Sequence, residues 1–339
     1  MSDTTPTARR KFRRAICGAC KANNWIPGDL PALESTACTK CGHPVIVPFE
    51  LRQFELREVI ASGGMGTVYR SFDMMLERQV AVKLLKKEMA EDKQVLDSFY
   101  REARAGAALN HTNIIHIYTF DQFEHRPYLV MELADNGSLD TRIEKEGFLP
   151  ELDVLSIGIK VASALQTALK HNLLHRDIKP GNILFNEDGE PKLVDFGLAR
   201  REDDDEYEGT IWGTPYYVAP EKIQRRGEDF RSDMYSLGGT LYHAITGHVP
   251  FEAETIEQVV AGHVHTPLTP PSQVNPAISE ATNEAICITL AKNPDERYAT
   301  YDDLVMALTA SQSQLLVQKY RNQQDSPSNV PSGRSWWRR

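Results

Sequence analysis

The chain has 339 residues, which is enough for two ordinary domains or for one larger domain with a small appendage. Hydrophobic residues make up 41% and charged residues 25%, the composition of a soluble globular protein, and no uninterrupted run of about eighteen apolar residues predicts a membrane span. The net charge is −9, and the central part of the chain is acidic whereas both ends are basic. The acidic centre argues against nucleic acid as the principal partner and indicates either basic substrates or a solvated acidic surface.

The N-terminus is polar and then basic, from Arg9 to Arg14. We expect residues 1–16 to form a flexible basic arm, because they show no hydrophobic periodicity. No apolar segment precedes Cys17, so the sequence predicts no secretory signal and a cytoplasmic location.

Four of the five cysteines form two Cys-x-x-Cys pairs. Cys17 and Cys20 are separated by seventeen residues from Cys38 and Cys41, a spacing typical of a zinc site made of four thiolates. The segment 17–48 is too short to bury a core of its own, and a metal can then supply the folding energy. It resembles a zinc ribbon, and we expect one structural Zn²⁺. The alternative, a redox dithiol pair, would require one such motif at the start of a helix.

From Phe54 the hydrophobic pattern alternates and predicts a β-hairpin around a glycine turn, followed by a strand at 79–85. A helix is predicted at 92–109 and two strands at 114–120 and 128–133. Beyond Gly137 the pattern is mainly helical, at 151–171, 231–246, 253–263, 279–291 and 301–320, with strands near 183–195. The sequence therefore predicts a strand-rich lobe followed by a helix-rich lobe.

The run H-R-D-I-K-P-G-N at residues 175–182 and the triplet D-F-G at 195–197 carry the most specific chemical signal. They place a proton acceptor, a lysine and two Mg²⁺ ligands at the spacing that phosphoryl transfer requires. With these motifs the chain resembles the Hanks-type (eukaryotic-like) serine/threonine protein kinases, particularly bacterial ones, over about residues 54–310.

The resemblance implies a bilobal α+β fold. A small antiparallel β lobe with one main helix is expected at 54–134, and a larger helical lobe at 135–310. Residues 311–339 are expected to contain the end of a helix and a disordered tail, which the composition places from Gln323 onward.

The resemblance also implies the roles of the loop residues. Asp177 accepts or orients the proton of the substrate hydroxyl, and Asn182 and Asp195 bind Mg²⁺. Lys179 reaches the transferring γ-phosphate and indicates a serine/threonine enzyme. Lys83, in V-A-V-K, contacts the α- and β-phosphates of ATP.

In this family the phosphate-binding lysine is held by a glutamate on the following helix, and Glu102 occupies that position. Residues of the glycine-rich loop fold over the phosphates, and the link between the lobes receives the adenine through its backbone at residues 132–134. The implied nucleotide contacts are Ile60, Gly63, Gly64, Gly66, Val68, Ala81, Met131, Glu132, Leu133 and Leu184. Ala61 replaces the first glycine of the loop, so we expect slightly altered nucleotide affinity.

The implied activation segment runs from Asp195 to Glu221. In the family Thr214 bridges Asp177 and Lys179, and Glu221 pairs with Arg297.

Because Arg176 precedes Asp177, a guanidinium beside the catalytic base calls for an anionic partner. Thr210 is the predicted phosphosite, and the acidic run at 202–206 is the alternative source of the anion.

These residues predict an ATP- and Mg²⁺-dependent protein serine/threonine kinase that autophosphorylates in its activation segment and acts in signalling. The alternative is a pseudokinase scaffold whose zinc ribbon binds partners, although the phosphate lysine, the base and both metal ligands are all present. A small-molecule phosphotransferase is disfavoured by the protein-docking elements at 213–221. A nucleic-acid role for the ribbon and arm stays open, and Trp336 and Trp337 with their neighbouring arginines suit a membrane interface. The sequence predicts no oligomeric state.

Overall fold

The computed structural model describes residues 12–196, 200–201 and 215–325. This part of the chain divides into two compact units. The first contains residues 12–139, 167–177, 181–196 and 200–201, and the second contains residues 140–166, 178–180 and 215–325. Strands dominate the first unit and helices the second, which confirms the predicted α+β class.

The N-terminal part of the first unit consists of two short antiparallel hairpins. β1 (Phe12–Ile16) pairs with β2 (Asn23–Pro27), and β3 (Ser35–Ala37) pairs with β4 (Pro44–Ile46). The hairpins share a small core of buried side chains, made of Ala15, Cys17, Ile26, Cys38, Val45 and Val47. A core of this size gives little hydrophobic stabilisation, so the folding of these hairpins needs another contribution.

The strand β1 corrects part of the prediction for the N-terminal arm. Residues 12–16 were expected to be flexible, but they pair with β2 along their whole length. The pairing is stabilised because Ala15 is buried in the hairpin core and because Nε of Arg14 donates to Oδ1 of Asn23 at 2.9 Å. Because β1 contains two arginines and only one buried side chain, its sequence lacks the alternation that predicts a strand. Residues 1–11 lie outside the described part of the chain.

A six-stranded antiparallel sheet follows, with the strand order β5-β6-β7-β8-β10-β9. The strands are β5 (Phe49–Leu51), β6 (Phe54–Ser62), β7 (Gly66–Asp73), β8 (Arg78–Leu85), β9 (Ile117–Phe123) and β10 (Arg126–Met131). The predicted hairpin is β6–β7, and its turn carries the glycines. The predicted strand at 79–85 is β8, which carries Lys83.

One helix, α1 (Lys93–Ala108), packs against this sheet. It begins at Asp92, whose side chain accepts hydrogen bonds from the amides of Gln94 and Val95. Because successive side chains of a strand point to opposite faces, Leu85 and Leu129 pack with α1, whereas their neighbours belong to the core on the other face. The packing of α1 on β8 determines where Lys83 and the helix meet.

Two further short pairs complete the described strands. β11 (Leu173–Leu174) pairs with β14 (Arg200–Arg201), and β12 (Ile183–Phe185) pairs with β13 (Pro191–Leu193). The β12–β13 pair matches the strands predicted near 183–195.

The remaining helices lie wholly or mostly in the second unit. They are α2 (Leu139–Glu146), α3 (Glu151–Lys170), α4 (Pro220–Ile223), α5 (Phe230–Thr246), α6 (Ile256–His265), α7 (Pro271–Val274), α8 (Glu280–Thr289) and α9 (Tyr301–Asp325). The long ones match the predicted helices closely. Helix α5 is buried along most of its length, and it begins at the N-cap Asp229 and ends at Gly247.

Two helices bear on the predictions about membranes and the tail. Among the described residues, α3 is long and apolar enough to cross a membrane by length and composition, and half of that stretch is buried inside the structure. Helix α9 continues to Asp325, into the segment from Gln323 that was predicted to be disordered. Residues 326–339, with both tail tryptophans, lie outside the described part.

Candidate active site

Lys83 on β8 and Glu102 on α1 form an ion pair. Nζ of Lys83 lies 2.6 Å from both carboxylate oxygens of Glu102. The two side chains are 18% and 11% exposed, so the pair is largely shielded from solvent. This is the pairing that the family resemblance implies, and it depends on the packing of α1 against the sheet.

The carboxylate of Asp195 adds a second negative charge beside this pair. Burial lowers the pKa of Lys83, but the charges of Glu102 and Asp195 outweigh burial and raise that pKa above its usual value. Burial raises the pKa of Glu102, and Asp195 adds to this effect although Lys83 opposes it. Two carboxylates and one ammonium therefore share a partly buried site, in which an additional cation would be stabilised.

Asp177 is held in place by Asn182. Nδ2 of Asn182 donates to the backbone oxygen of Asp177 at 2.8 Å and to its Oδ2 at 3.0 Å. The amide of Asp177 donates to Nδ1 of His175 at 3.3 Å. These bonds fix the position and orientation of the Asp177 carboxylate.

His175 fastens this loop to the residues that precede Asp195. Because Nδ1 of His175 accepts the Asp177 amide, its Nε2 carries the proton and donates to the carbonyl oxygen of Val194 at 2.9 Å. The imidazole is fully buried and packs edge-on against the ring of Phe196, with 4.7 Å between ring centroids. These contacts indicate a structural role for His175 and Phe196.

Two residues of this region have left-handed backbones. Arg176 and Asp195 both have φ of +67°, a conformation that costs a non-glycine residue about 1 kcal/mol or more. The amide of Val194 also donates to the carbonyl oxygen of Asn182 at 3.0 Å. The surrounding hydrogen bonds hold these conformations, and such strain is concentrated at functional sites in proteins.

The glycine turn between β6 and β7 is closed by a hydrogen bond from the amide of Gly63 to the carbonyl oxygen of Gly66, at 2.9 Å. A Cβ atom at Gly66 would lie 2.9 Å from the carbonyl oxygen of Leu84, so only glycine fits there without a backbone shift. Ala61, at the place of the family's first glycine, pairs with Val68 inside the hairpin and needs no left-handed backbone.

The residues expected around adenine lie on adjacent elements of the first unit. Ala81 is buried on β8, and Met131, at the end of β10, is its cross-strand neighbour. Leu184 lies on β12, in a bridge with Ser138 that joins β12 to the segment after β10.

The side chain of Glu132 has a separate partner that the sequence does not reveal. It pairs with Lys192 on β13 at 2.5 Å, and the amide of Glu132 donates to the carbonyl oxygen of His116 at 2.8 Å. The segment that follows β10 is thus anchored on both sides.

A model of the protein kinase domain matches residues 54–309 of the chain. The chain belongs to the protein kinase family. It is 35% identical over 255 residues to a probable serine/threonine-protein kinase of Clostridium perfringens. The aligned residues make up 75% of this chain and 37% of that protein. It is also 35% identical to serine/threonine-protein kinase Pkn1 of Myxococcus xanthus, over 84% of this chain and 43% of that protein.

A third relative is serine/threonine-protein kinase PknL of Mycobacterium tuberculosis, 35% identical over 264 residues, which is 77% of this chain and 66% of that protein. The chain therefore spans between about a third and two thirds of the length of these relatives.

Several predicted residues of the kinase domain's activation segment lie outside the described part of the chain. They are Thr210, Thr214 and the acidic run 202–206. Lys179 belongs to the second unit, in the segment 178–180, and is half-buried.

The second unit contains the ion pair predicted between Glu221 and Arg297. Nη1 and Nη2 of Arg297 lie 2.7 and 2.8 Å from the two carboxylate oxygens of Glu221, and the side chains are 0% and 6% exposed. Ser232 also donates to Glu221, at 2.6 Å. Burial raises the pKa of Glu221, but the hydrogen bonds and charge of Arg297 outweigh it and hold that pKa below its usual value.

The four predicted cysteines lie together in the N-terminal hairpins. Their sulfur atoms are all within 4.8 Å of one another. The Cys17–Cys41 and Cys20–Cys38 sulfur distances are 3.6 and 3.7 Å, close to the edge of about 3.8 Å expected for a tetrahedron with Zn–S bonds of about 2.3 Å. The pKa of Cys38 is lowered to about 6, mainly by the hydrogen bond from the backbone amide of Lys40. The donor set and its spacing therefore fit zinc.

Proposed function

We propose that the chain transfers the γ-phosphoryl group of ATP to serine or threonine hydroxyls of proteins. The observation that carries this proposal is the meeting of Lys83, Glu102 and Asp195 in one partly buried site of a protein kinase domain. Its relatives named above are serine/threonine-protein kinases, and Lys179 supports the same substrate class.

Each residue of the site has a role in this proposal. Asp177 accepts the proton of the attacking hydroxyl, and its hydrogen bonds to Asn182 keep the carboxylate in place. Lys83 neutralises the α- and β-phosphates, and Lys179 reaches the γ-phosphate. Asn182 and Asp195 hold Mg²⁺, which balances the phosphate charge when it is bound.

ATP binds, in the same proposal, under the glycine turn and against the slot formed by Val68, Ala81, Met131 and Leu184. The side chain of Glu132 is paired with Lys192 and is therefore not available to the nucleotide. The adenine edge is recognised by the backbone of residues 132–134.

We further propose that the kinase autophosphorylates on Thr210 and that Arg176 receives this phosphate. Thr214 bridges Asp177 and Lys179 in the active state. Mass spectrometry of the active enzyme tests the site. An unmodified segment at full activity would favour the acidic run 202–206 as the anion.

A radiolabelled ATP assay with a generic basic protein tests the phosphotransferase function. We expect label on serine or threonine, and a loss of kcat of at least about 10²-fold in Asp177→Ala, since that group acts in the transition state. Asp188→Ala is the matched control, because Asp188 is exposed in the turn between β12 and β13. A loss below tenfold in Asp177→Ala would refute the assignment.

The segment 17–48 is, in our proposal, a zinc ribbon in which Cys17, Cys20, Cys38 and Cys41 hold one structural Zn²⁺. The bound metal supplies folding energy that the small hairpin core lacks. Elemental analysis of protein purified under reducing conditions should find one zinc per chain. Cys41→Ser should lower this value, whereas Cys287→Ser should not. Protein without stoichiometric zinc would contradict the proposal.

A further inference from the structure

The two turns that carry the cysteine pairs, at residues 17–21 and 38–43, contact strand β6. We call them the cysteine turns. A Cβ atom at Gly18 would lie 1.6 Å from Oε1 of Glu58, so only glycine leaves room for that carboxylate. Nε2 of His43, which follows the second cysteine pair, lies 3.8 Å from the same oxygen. Glu58 is only 18% exposed. Both cysteine turns therefore contact one carboxylate of the kinase sheet.

Glu58 is the first of three charged residues that connect the cysteine turns with the proposed nucleotide site. Oε2 of Glu58 lies 3.3 Å from Nε of Arg70 on β7, and Nη2 of Arg70 lies 2.6 Å from Oδ2 of Asp135. Arg70 is 30% and Asp135 20% exposed, so solvent only partly screens these pairs. We call Glu58, Arg70 and Asp135 the charge relay.

Asp135 belongs to the segment that follows β10 and that we propose receives adenine. The next residue, Asn136, donates its amide to the carbonyl oxygen of Phe185, and the amide of Phe185 donates to the carbonyl oxygen of Gly137. Phe185 follows Leu184, which lines the proposed adenine slot. Arg70 is also the cross-strand neighbour of Ala81. The relay thus connects β6 and β7 with the segment after β10 that we propose receives adenine.

We infer that Arg70 is a positioning residue for nucleotide binding, and that Glu58 makes its effect depend on the state of the cysteine ribbon. While the cysteine turns enclose Glu58, its carboxylate holds Arg70, and Arg70 holds Asp135 and the adenine-binding backbone. When the ribbon loses its metal, the turns loosen, and Glu58 and Arg70 gain freedom. Nucleotide affinity then falls. This inference rests on the proposed kinase function and on the proposed zinc site.

Binding of ADP with Mg²⁺, measured by calorimetry on the full chain, tests the inference together with KM for ATP and kcat. Arg70→Met should weaken ADP binding and raise KM by about three- to fivefold, while kcat changes by less than about twofold. Arg70→Lys should recover part of the affinity. Arg52→Met is the control, because Arg52 makes an exposed pair with Asp121 on the same sheet. Its affinity should match the unaltered chain.

The second arm compares metal-loaded and chelated protein after Mg²⁺ is restored. Chelation should weaken ADP binding of the unaltered chain by about the same factor as Arg70→Met, and should have no further effect in Arg70→Met or Glu58→Gln. Equal weakening by chelation in all three proteins would overturn the inference, as would an unchanged ADP affinity in Arg70→Met.

Failure of the kinase proposal is distinguishable from failure of this inference. A chain that binds ADP through the relay but transfers no phosphate would refute only the kinase proposal. A chain that binds no ADP would refute both.

Discussion

Lys83–Glu102 in the first unit and Glu221–Arg297 in the second are both acid–base pairs with nitrogen–oxygen distances below 3 Å. Their surroundings differ. Arg297 is fully buried, meets both oxygens of Glu221, and also donates to the carbonyl oxygens of Arg231 and Ala291. Lys83 retains 18% exposure, and its partner stands beside a second carboxylate, Asp195.

The difference indicates that one ion pair stabilises the fold and that the other belongs to a functional site. The hydrogen bonds from Ser232 to Glu221 and from Arg297 to two backbone carbonyl oxygens keep the pair closed, as expected of a pair that maintains the fold. The site around Lys83 has one more negative than positive charge, so it would stabilise an added cation, and Lys83 can contact phosphates. These properties are expected of a catalytic site. Substitutions that separate stability from activity sharpen this comparison.

Arg297→Met should produce the largest loss of stability. The substitution leaves Glu221 buried without its main partner, and we expect the free energy of unfolding to fall by about 3–5 kcal/mol. Urea unfolding monitored by circular dichroism gives this value. Arg231→Met is the matched control, because its partners Asp229 and Asp295 are 32% and 79% exposed, and it should cost about 1 kcal/mol or less. Equal costs for the two variants would break the comparison.

Lys83→Met should have the opposite profile. We expect kcat/KM to fall by about 10²–10³-fold, because a preorganised cation at the phosphates is lost. The free energy of unfolding should fall by only about 1–2 kcal/mol, since Glu102, whose pKa is already raised, can take up a proton. Steady-state kinetics and urea unfolding of the same preparation measure both values. A loss of stability as large as that of Arg297→Met would contradict the distinction.

The buried His263 predicts a pH dependence for the second unit. Burial, and then the charge of Lys292, lowers its folded-state pKa to about 4, below the usual 6.5. As pH falls below 6.5 the unfolded chain takes up a proton that the folded chain does not, so stability is lost between about pH 6.5 and 4, by up to about 3 kcal/mol. The lowered pKa of Glu221 acts in the same direction at lower pH. His263→Gln should flatten the loss, as unfolding curves at several pH values will reveal.

The smallest effect is expected in the glycine turn of the first unit. Gly66→Ala places a Cβ atom against the Leu84 carbonyl oxygen and should cost about 1 kcal/mol of unfolding free energy. Gly64→Ala meets nothing within 4 Å and should leave stability almost unchanged. Thermal unfolding of both variants compares these costs. A greater loss in Gly64→Ala would show that the turn is shaped differently.

Much of this architecture could be predicted because local patterns carried it. The hairpin with its glycine turn, the lysine strand and the long helices each have hydrophobic periodicity, and the motif residues come in fixed spacings. The pairing of Lys83 with Glu102 was accessible through the family resemblance alone, since nineteen positions separate the two residues.

The charge relay and β1 could not be predicted in this way. Glu58, Arg70 and Asp135 belong to no motif, and only the packing of the cysteine turns on β6 and the cross-strand register bring them together. Strand β1 has one buried side chain among basic residues, so its alternation is too weak to recognise. His263 is similar, because its burial depends on contacts with Tyr235 and Phe251 from distant parts of the chain.

Parallel measurement of kcat/KM and unfolding free energy in Lys83→Met and Arg297→Met tests the central claim most directly. At a temperature where both variants are folded, Lys83→Met should lose at least about 10²-fold in kcat/KM with little loss of stability. Arg297→Met should lose about 3–5 kcal/mol while retaining kcat/KM within about threefold. If Lys83→Met kept kcat/KM within tenfold of the unaltered chain, the assignment of the Lys83–Glu102 site to phosphoryl transfer would be wrong.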